Sequence, residues 1–413
     1  MMFINRLIVA VGILSMAGCR GGMYVDVINP LSEDRLPEMV ELDFEQVRTE
    51  LGLNSGETFV IMDTHNEEVP HQLTYDGKVI FPVTIDSSGK ETFLICKGIP
   101  SEYTVKACGN HYPARVDDIC WENDKVGFRV YGFKGDNPSG YDLFTKKNTD
   151  LPVIPEMYRT ALDPKQKEIE NQIRAEFGKD SAAVFHNRRS FHIDHGFGAD
   201  VYAVGPTLGA GVAALMDGEE IIYPYCYDSF EILDNGPLRF TMKLTFRPFN
   251  IGGYRNVTET RIMTIDVGSH FTKTEVSYDG IDTIMPIVAG IVVQDKDEAA
   301  VAEADKGYIA YPAPTLNFDR QRVVDNGTIY VGHVYPISLE SAGLKYFSDQ
   351  ESSERGGAKG HVLAHSTYSP SEPFTYWWGF GWNHADIEDY KEWVKHLEIF
   401  AVQVRNPLSI TIR

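Results

Sequence analysis

Leu238-Arg239-Phe240-Thr241-Met242-Lys243-Leu244-Thr245-Phe246 decides the fold class. Apolar and polar residues alternate through it without a break, the period of a strand with one buried and one wet face. Further β-prone runs follow at residues 260–267, 272–278, 284–293 and 328–334. Helical patterns are few. Asp163-Pro164 opens one helix, with Asp as N-cap and Pro at the first helical position, running to about Phe177-Gly178. A second begins near Asp386, where Ile387, Tyr390, Val394, Leu397, Ala401 and Val404 recur at steps of three and four before Asn406-Pro407 ends the run. Upstream, short β-prone runs at 24–28, 58–62, 79–84 and 92–96 are separated by turn signals such as Asn54-Ser55-Gly56, Asp76-Gly77 and Ser88-Gly89. The expectation is an all-β protein. A small N-terminal β-sandwich spans 23–108, a large extended sandwich spans 110–413, and an amphipathic helix lies near the C-terminus. The charged stretch 348–360 reads as a mobile surface loop.

A chain of 413 residues exceeds what one compact core organises, in keeping with two units. With 43% hydrophobic and 23% charged residues it is neither disordered, collagen-like nor a polytopic membrane protein. Aromatics at 12% favour strands and flat apolar surfaces of the kind that meet sugar rings. A net charge of −21 repels a phosphate backbone and excludes nucleic acid as a partner.

The N-terminus reads as an export signal. Arg6 supplies the positive charge, residues 7–14 a short apolar run, and Leu14-Ser15-Met16-Ala17-Gly18-Cys19 resembles a bacterial lipobox in which Cys19 is lipidated. The apolar run is too short to span a bilayer with ease, so the membrane is met through a lipid anchor only. Arg20 follows the cysteine, without the Asp that retains lipoproteins at the inner membrane, and no acidic cluster marks surface export. The expected location is the periplasmic face of an outer membrane. Cys96, Cys108, Cys120 and Cys226 show no zinc spacing. They fit one disulfide among Cys96, Cys108 and Cys120, or buried free thiols. Neither a metal nor a cofactor is expected.

Four segments concentrate chemistry. Trp121-Glu122-Asn123-Asp124-Lys125 sets an indole beside carboxylates, an amide and an ammonium, the mixture from which sugar sites are built, or a salt-bridged turn opening a strand. His186-Asn187-Arg188-Arg189-Ser190-Phe191-His192-Ile193-Asp194-His195-Gly196-Phe197-Gly198-Ala199-Asp200 is the richest. The glycines argue against a helical metal site. His192 suits general acid–base work, with Asp200 as partner and Arg188, Arg189 and His195 as binding groups. Tyr223, Tyr225 and Tyr227 alternate as on one strand face, giving a platform, a phenol for proton transfer, or core packing. Phe374-Thr375-Tyr376-Trp377-Trp378-Gly379-Phe380-Gly381-Trp382-Asn383-His384 reads as a sugar-stacking wall of Trp377, Trp378 and Trp382 closed by His384. Gly205-Pro206-Thr207-Leu208-Gly209-Ala210-Gly211 lacks the Lys-Ser/Thr of a phosphate loop and reads as a tight strand connection.

With these residues in view, the chain resembles the Bacteroidetes lipoproteins grouped as domain of unknown function family 4861, often encoded in polysaccharide-utilisation loci. The resemblance rests on the Trp121–Lys125 motif with Phe128-Arg129 and Tyr131, on Asp142-Leu143-Phe144-Thr145-Lys146-Lys147, and on the 205–211 segment. Around the histidines, His192, Gly198 and Asp200 match the family pattern, whereas a Glu, an Asp and a Trp of that pattern are replaced. The resemblance implies a galactose-mutarotase-like supersandwich, a scaffold shared by sugar epimerases, polysaccharide lyases and accessory domains of hydrolases.

The expected function is therefore carbohydrate-active, in glycan degradation. The leading reading is an exo-acting lyase that cleaves uronate-containing oligosaccharides by β-elimination. Arg188, Arg189, Lys146 or Lys147 would neutralise the carboxylate, and His192 or a tyrosine of 223–227 would move the protons. A sugar epimerase or mutarotase would use His192 with Asp200 or Glu122. A hydrolase would need two facing carboxylates, and a non-catalytic binder only the tryptophans. Convergence of Arg188 and Arg189 on His192 would favour the lyase.

Overall fold

The computed structural model describes residues 21–132, 140–147, 151–295, 299–319 and 321–413. The expected signal and Cys19 lie outside the described residues. The alternating segment forms the strand Arg239–Thr245, with Phe240, Met242 and Leu244 fully buried. It sits second in a nine-stranded antiparallel sheet ordered Ser229–Asn235, Arg239–Thr245, Tyr254–Asp266, Phe271–Asp279, Phe374–Trp382, Thr328–Val334, Tyr308–Pro314 and Val301–Glu303, with Phe249–Ile251 folded onto Tyr254–Asp266. Its inner face meets two further antiparallel sheets. One runs Glu220–Ile221, Ala213–Asp217, Met285–Val293, Gly360–Tyr368, Ser341–Tyr346. The other runs Asp142–Phe144, Gly127–Val130, Asp118–Glu122, Cys108–Tyr112. One continuous core joins all three, with Met242, Val276 and Trp378 from the first, Leu215, Val288 and Val362 from the second, and Trp121, Phe128 and Leu143 from the third.

The outer face of the large sheet is not simply wet. Thr241 is buried, and Arg239 pairs with Asp266 and with Glu41 of the N-terminal unit, each at 2.6 Å. That unit is the expected small sandwich. Met23–Ile28, Lys90–Lys97, Phe59–Met62 and Glu68–Val69 form one sheet, and Glu38–Asp43, Lys78–Val83 and Gln72–Leu73 the other. Val25, Val27, Val40, Leu42, Phe81, Phe93 and Ile95 fill the space between them. The free edge of Met23–Ile28 is taken by Ser409–Ile412, the last strand of the chain, paired antiparallel from Val25↔Ile412 to Ile28↔Ser409. The sandwich is thus built from segments far apart in the sequence.

The C-terminal amphipathic helix spans Tyr390–Arg405, opened by Asp389, whose side chain accepts from the backbone N–H of Glu392. Trp393, Leu397 and Ala401 face the core. The other expected helix, Pro164–Asn187, is capped by Asp163 as read, but continues beyond Gly178 with a kink there (φ 85°) rather than ending. Sequence periodicity missed the helix Ile154–Ala161, whose buried face holds only Ile154 and Tyr158. Part of the expected 348–360 loop is the short helix Asp349–Glu354, capped by Ser348, and Arg355 after it lies 3.7 Å over the Tyr223 ring. Cys108, Cys120 and Cys226 are buried free thiols, so no disulfide joins any two of Cys96, Cys108 and Cys120.

Candidate active site around Arg129 and His192

Alternation within the short strand Gly127–Val130 sends Phe128 into the common core and Arg129 to the opposite face. There the helix Ile154–Ala161 and the 190–201 segment cover the four-stranded sheet. The guanidinium of Arg129, 2% exposed, lies over the rings of Tyr131 (4.8 Å) and Phe144 (5.1 Å). Three buried carboxylates surround it. Asp142 is in direct contact, Asp200 lies 2.8 Å from Nη2, and Asp118 lies 3.8 Å from Nη1. Tyr131 donates to Asp142 at 2.6 Å and Tyr158 to Asp118 at 2.8 Å, while Arg115 approaches Asp118 at 3.3 Å from a half-buried position.

Three carboxylates exceed the charge that one buried and one partly exposed guanidinium can balance, so the cluster favours keeping a proton. Burial drives the Asp200 carboxyl up to about 7, against the pull of Arg129 and with the nearby Asp142 adding to the rise. Burial raises Asp118 as well, again opposed by Arg129.

His192 stands at the rim, its side chain 27% exposed. Its Nδ1 lies 2.9 Å from the Asp200 carbonyl oxygen and 3.4 Å from the Asp200 carboxylate. A carbonyl only accepts, so Nδ1 carries the proton and Nε2 presents a lone pair. Among the described residues Nε2 has no hydrogen-bond partner. Burial holds the imidazole below its ordinary pKa, so it is neutral at neutral pH. The ring stacks on Phe318 at 4.3 Å, and Phe318 is itself 38% exposed.

The loop that carries His192 and Asp200 is laced to the sheet. Thr145 N–H donates to the Ala199 carbonyl, Ala199 N–H donates to the Thr145 hydroxyl, and Asp200 N–H donates to the Phe191 carbonyl, each at 2.9 Å. Asp194 closes the turn, accepting from the N–H groups of Gly196 (2.7 Å) and Gly198 (2.9 Å) and pairing with Lys147 at 3.1 Å. Gly198 has φ +106°, and a Cβ there would come within 1.9 Å of the Thr145 carbonyl oxygen.

Of the expected catalytic residues, His192 and Asp200 come together and two do not. Tyr225 is 37% exposed in an irregular stretch rather than on a strand, so the 223–227 tyrosines share no face. Tyr223 goes to Arg355 and Tyr227 is buried. His384 is an exposed residue beside Trp382, ring centroids 5.1 Å apart. The tryptophan wall does not form either. Trp378 (0% exposed) and Trp382 (3%) are core residues, and their indole N–H groups donate to Thr274 and to the Asn326 carbonyl. Trp377 alone points outward, to the far side of the large sheet.

The Trp121–Lys125 motif is architectural. Trp121 is in the core and donates to Thr272 at 3.0 Å. Glu122 is buried against Lys146 at 2.6 Å and accepts from the first N–H groups of the Ile154–Ala161 helix, Val153 (3.0 Å) and Ile154 (2.9 Å). Asp124 accepts from Gly268 N–H at 2.7 Å, and Lys125 pairs with Asp386 at 2.7 Å. Arg189 is buried against Glu170 and the Ala161 carbonyl. Arg188 and His195 are exposed and, with Phe197 and Leu151, line a largely apolar cavity of about 360 Å³ that His192 does not line. Arg188 and Arg189 therefore do not converge on His192.

Arg129, Tyr131, Asp118, Asp142 and Tyr158 were not singled out as site residues from sequence. Tyr131 lies just past the end of the Gly127–Val130 strand, where its hydroxyl accepts from Arg129 at 2.9 Å, and Asp142 precedes Leu143-Phe144. No group of three His, Cys, Asp or Glu placed to hold a metal ion occurs among the described residues.

Comparison with known proteins fits the whole chain into one group. The family described as "Domain of unknown function (DUF4861)" matches residues 27–410, and the chain belongs to that family. An uncharacterized protein, P7, of Formosa agariphila is 23% identical over 414 residues, covering 94% of this chain and 93% of its own. Among solved structures, an alpha-mannosidase from Enterococcus faecalis V583 superposes with TM-score 0.49 at 9% identity, over 95% of this chain and 46% of that one. A glycosyl hydrolase family 38 protein from Enterococcus faecalis gives TM-score 0.46 at 8% identity, over 95% of this chain and 47% of its own. This chain spans about half the length of those two solved proteins.

Proposed function

We propose that this member of the DUF4861 family is a carbohydrate-active enzyme that moves protons on a neutral sugar, by mutarotation or epimerisation, with His192 as its acid–base group. The observation that carries the reading is the His192–Asp200–Arg129 arrangement. A half-exposed imidazole has Nδ1 fixed by Asp200, and Asp200 is in turn fixed by a buried guanidinium. Among the described residues, Nε2 is the only imidazole nitrogen so presented at this rim. As general base Nε2 takes the anomeric hydroxyl proton as the C1–O5 bond breaks and passes it to O5, and the reverse sequence after rotation about C1–C2 closes the other anomer. At a C–H beside the open-chain carbonyl it takes the proton to leave an enediolate, and the epimer forms when a proton returns to the opposite face. Asp200 and Arg129 position the ring. Their fractional shared charge tunes it, and neither needs to touch substrate.

A carbohydrate substrate is supported by the resemblance to proteins of polysaccharide-utilisation loci, and by the exposed faces of Phe318 beside His192 and of Phe197 in the adjoining cavity. Charge favours a neutral sugar. Arg129 is saturated by carboxylates and has none of its charge left for a uronate, and Arg189 is occupied by Glu170. Hydrolysis through Asp142 and Asp200 is disfavoured, because both contact the same Nη2 and leave no space for a sugar between them.

The test combines polarimetry of freshly dissolved monosaccharides and hydrogen–deuterium exchange at sugar C–H positions, with absorbance at 235 nm on uronate oligosaccharides run alongside. Wild type is compared with His192→Ala, each checked for folding by circular dichroism. Accelerated anomer equilibration or exchange, reduced about 100-fold or more in His192→Ala, supports the proposal. Equal rates in the two proteins refute it. A rise at 235 nm that depends on His192 would instead assign the site to β-elimination.

A further inference from the structure

The outer face of the nine-stranded sheet carries a second feature that the His192 site does not use. A row of side chains crosses four strands in register: Thr241↔Thr264, Thr264↔Lys273 and Lys273↔Trp377. The N-terminal unit stands over this row, presenting Glu38, Glu41, Tyr75 and Asp76, and Phe400 of the C-terminal helix closes one end. The space between is a groove of about 400 Å³.

We infer that this groove binds a neutral oligosaccharide. Two flat aromatic groups face it. Tyr75 is 48% exposed, and the indole of Trp377, half-buried on the outer face with Thr375, has no hydrogen-bond partner for its N–H among the described residues. A sugar needs such faces for its C–H surfaces and such a donor for a ring or hydroxyl oxygen. The charges select against anions. Arg239 is held by Asp266 and Glu41, and Lys273 by Glu275 at 3.1 Å, so both cations are already paired. Asp76 adds further negative charge to the lining, while Glu38 is already paired with Arg35. Carboxylates accept from hydroxyls and repel uronate or sulfate groups.

The groove is independent of the His192 chemistry. Between it and Arg129 lie the large sheet, the Trp378–Phe128 contact (ring centroids 4.8 Å) and the four-stranded sheet. With sheets spaced by about 10 Å, the two sites are on the order of 20 Å apart, on opposite faces of the sandwich. The groove thus holds a glycan without presenting it to the imidazole, as an anchoring site on the same chain.

Affinity electrophoresis in gels containing galactomannan, xylan, laminarin or polygalacturonate tests this with wild type, Trp377→Ala, Tyr75→Ala and His192→Ala. The expected result is retardation by at least one neutral polysaccharide and none by polygalacturonate. Trp377→Ala should bind about tenfold more weakly, Tyr75→Ala should also weaken, and His192→Ala should bind as wild type. Thermal unfolding of the two groove variants confirms that they fold. The inference is overturned if no neutral polysaccharide retards the protein, if polygalacturonate alone does so, or if both groove variants bind like wild type. Because His192→Ala is expected to leave binding intact, failure of the groove and failure of the proposed catalysis are read separately.

Discussion

Replacing Asp200 with Asn isolates the charge imbalance around Arg129. In the folded chain the Asp200 carboxyl titrates near 7 against an ordinary value of 3.8, chiefly because it is buried. Between those pH values the folded protein holds a proton that the unfolded chain has lost. Stability from this group is therefore greatest below about pH 4 and is lost as pH rises through about 7. A difference of roughly three pH units at about 1.4 kcal/mol each sets the loss at no more than about 4 kcal/mol. Asparagine has the shape of the protonated carboxyl and cannot ionise. Asp200→Asn should therefore lie near wild type at pH 4.5 and gain on it steadily, by up to about 4 kcal/mol, at pH 8. Urea unfolding followed by tryptophan fluorescence at five pH values gives the comparison, with the slope of free energy on urea checked for constancy. Titrations common to both proteins cancel in the difference. A stability difference that does not change with pH would refute the argument, and so would one that changes in the opposite sense.

Lys146→Met leaves Glu122 buried without its cation and should cost about 3–5 kcal/mol, with Lys146→Met/Glu122→Gln recovering part of it in thermal unfolding. Gly198→Ala meets both the positive φ and the Thr145 carbonyl, so it should displace the loop and abolish any activity that depends on His192, as read by the His192 imidazole signals in NMR. Trp378→Ala should destabilise by about 3–5 kcal/mol, and Trp377→Ala by much less, because only the first empties core volume. Burial opposes ionisation of Asp386, but the hydrogen bonds from His270 and Lys125 outweigh it and hold the carboxyl well below its ordinary value. That stability is present above about pH 4 and is lost as pH falls through the folded value. The cost of Lys125→Met should accordingly be full at pH 7 and shrink only as pH falls toward the folded value, as followed by unfolding from pH 7 down to pH 2.

Strand pattern was the most legible part of the sequence, because a buried sheet face imposes a period of two that side chains cannot evade. The same period, applied to Tyr376, Trp378, Phe380 and Trp382, also foretells that these residues are core and that Trp377 is not. Reading the run as a wall came from counting aromatics without sorting them by face. A sheet covered on its inner side by two others needs large inward groups, and this strand supplies them. The helix Ile154–Ala161 was illegible for a different reason. Its N-terminal N–H groups are satisfied by Glu122, some thirty residues earlier, and Val153 at the N-cap offers no side-chain acceptor, so Pro155 and Glu156 in the first turn are the local start signals. His192 and Asp200 were visible because they are close in sequence. Arg129 was not, because a single arginine on a strand looks like a solvent-facing residue until three aspartates from other segments are folded around it.

The pairing of Ser409–Ile412 with Met23–Ile28 sets an order of events during synthesis. Met23–Ile28 completes its sheet only with Ser409–Ile412, far along the sequence, and Arg413 then fastens to Asp26 at 2.7 Å. Until Ser409–Ile412 has emerged, Met23–Ile28 has an open edge, a surface that invites pairing with other chains. Closing a loop of this length is slow, so the sandwich matures late even though its other strands are local. Once formed, the pairing covers the open edge of Met23–Ile28. Loss of the final strand would therefore be felt first as aggregation of newly made protein and as nicking near residue 23, well before any change at the imidazole.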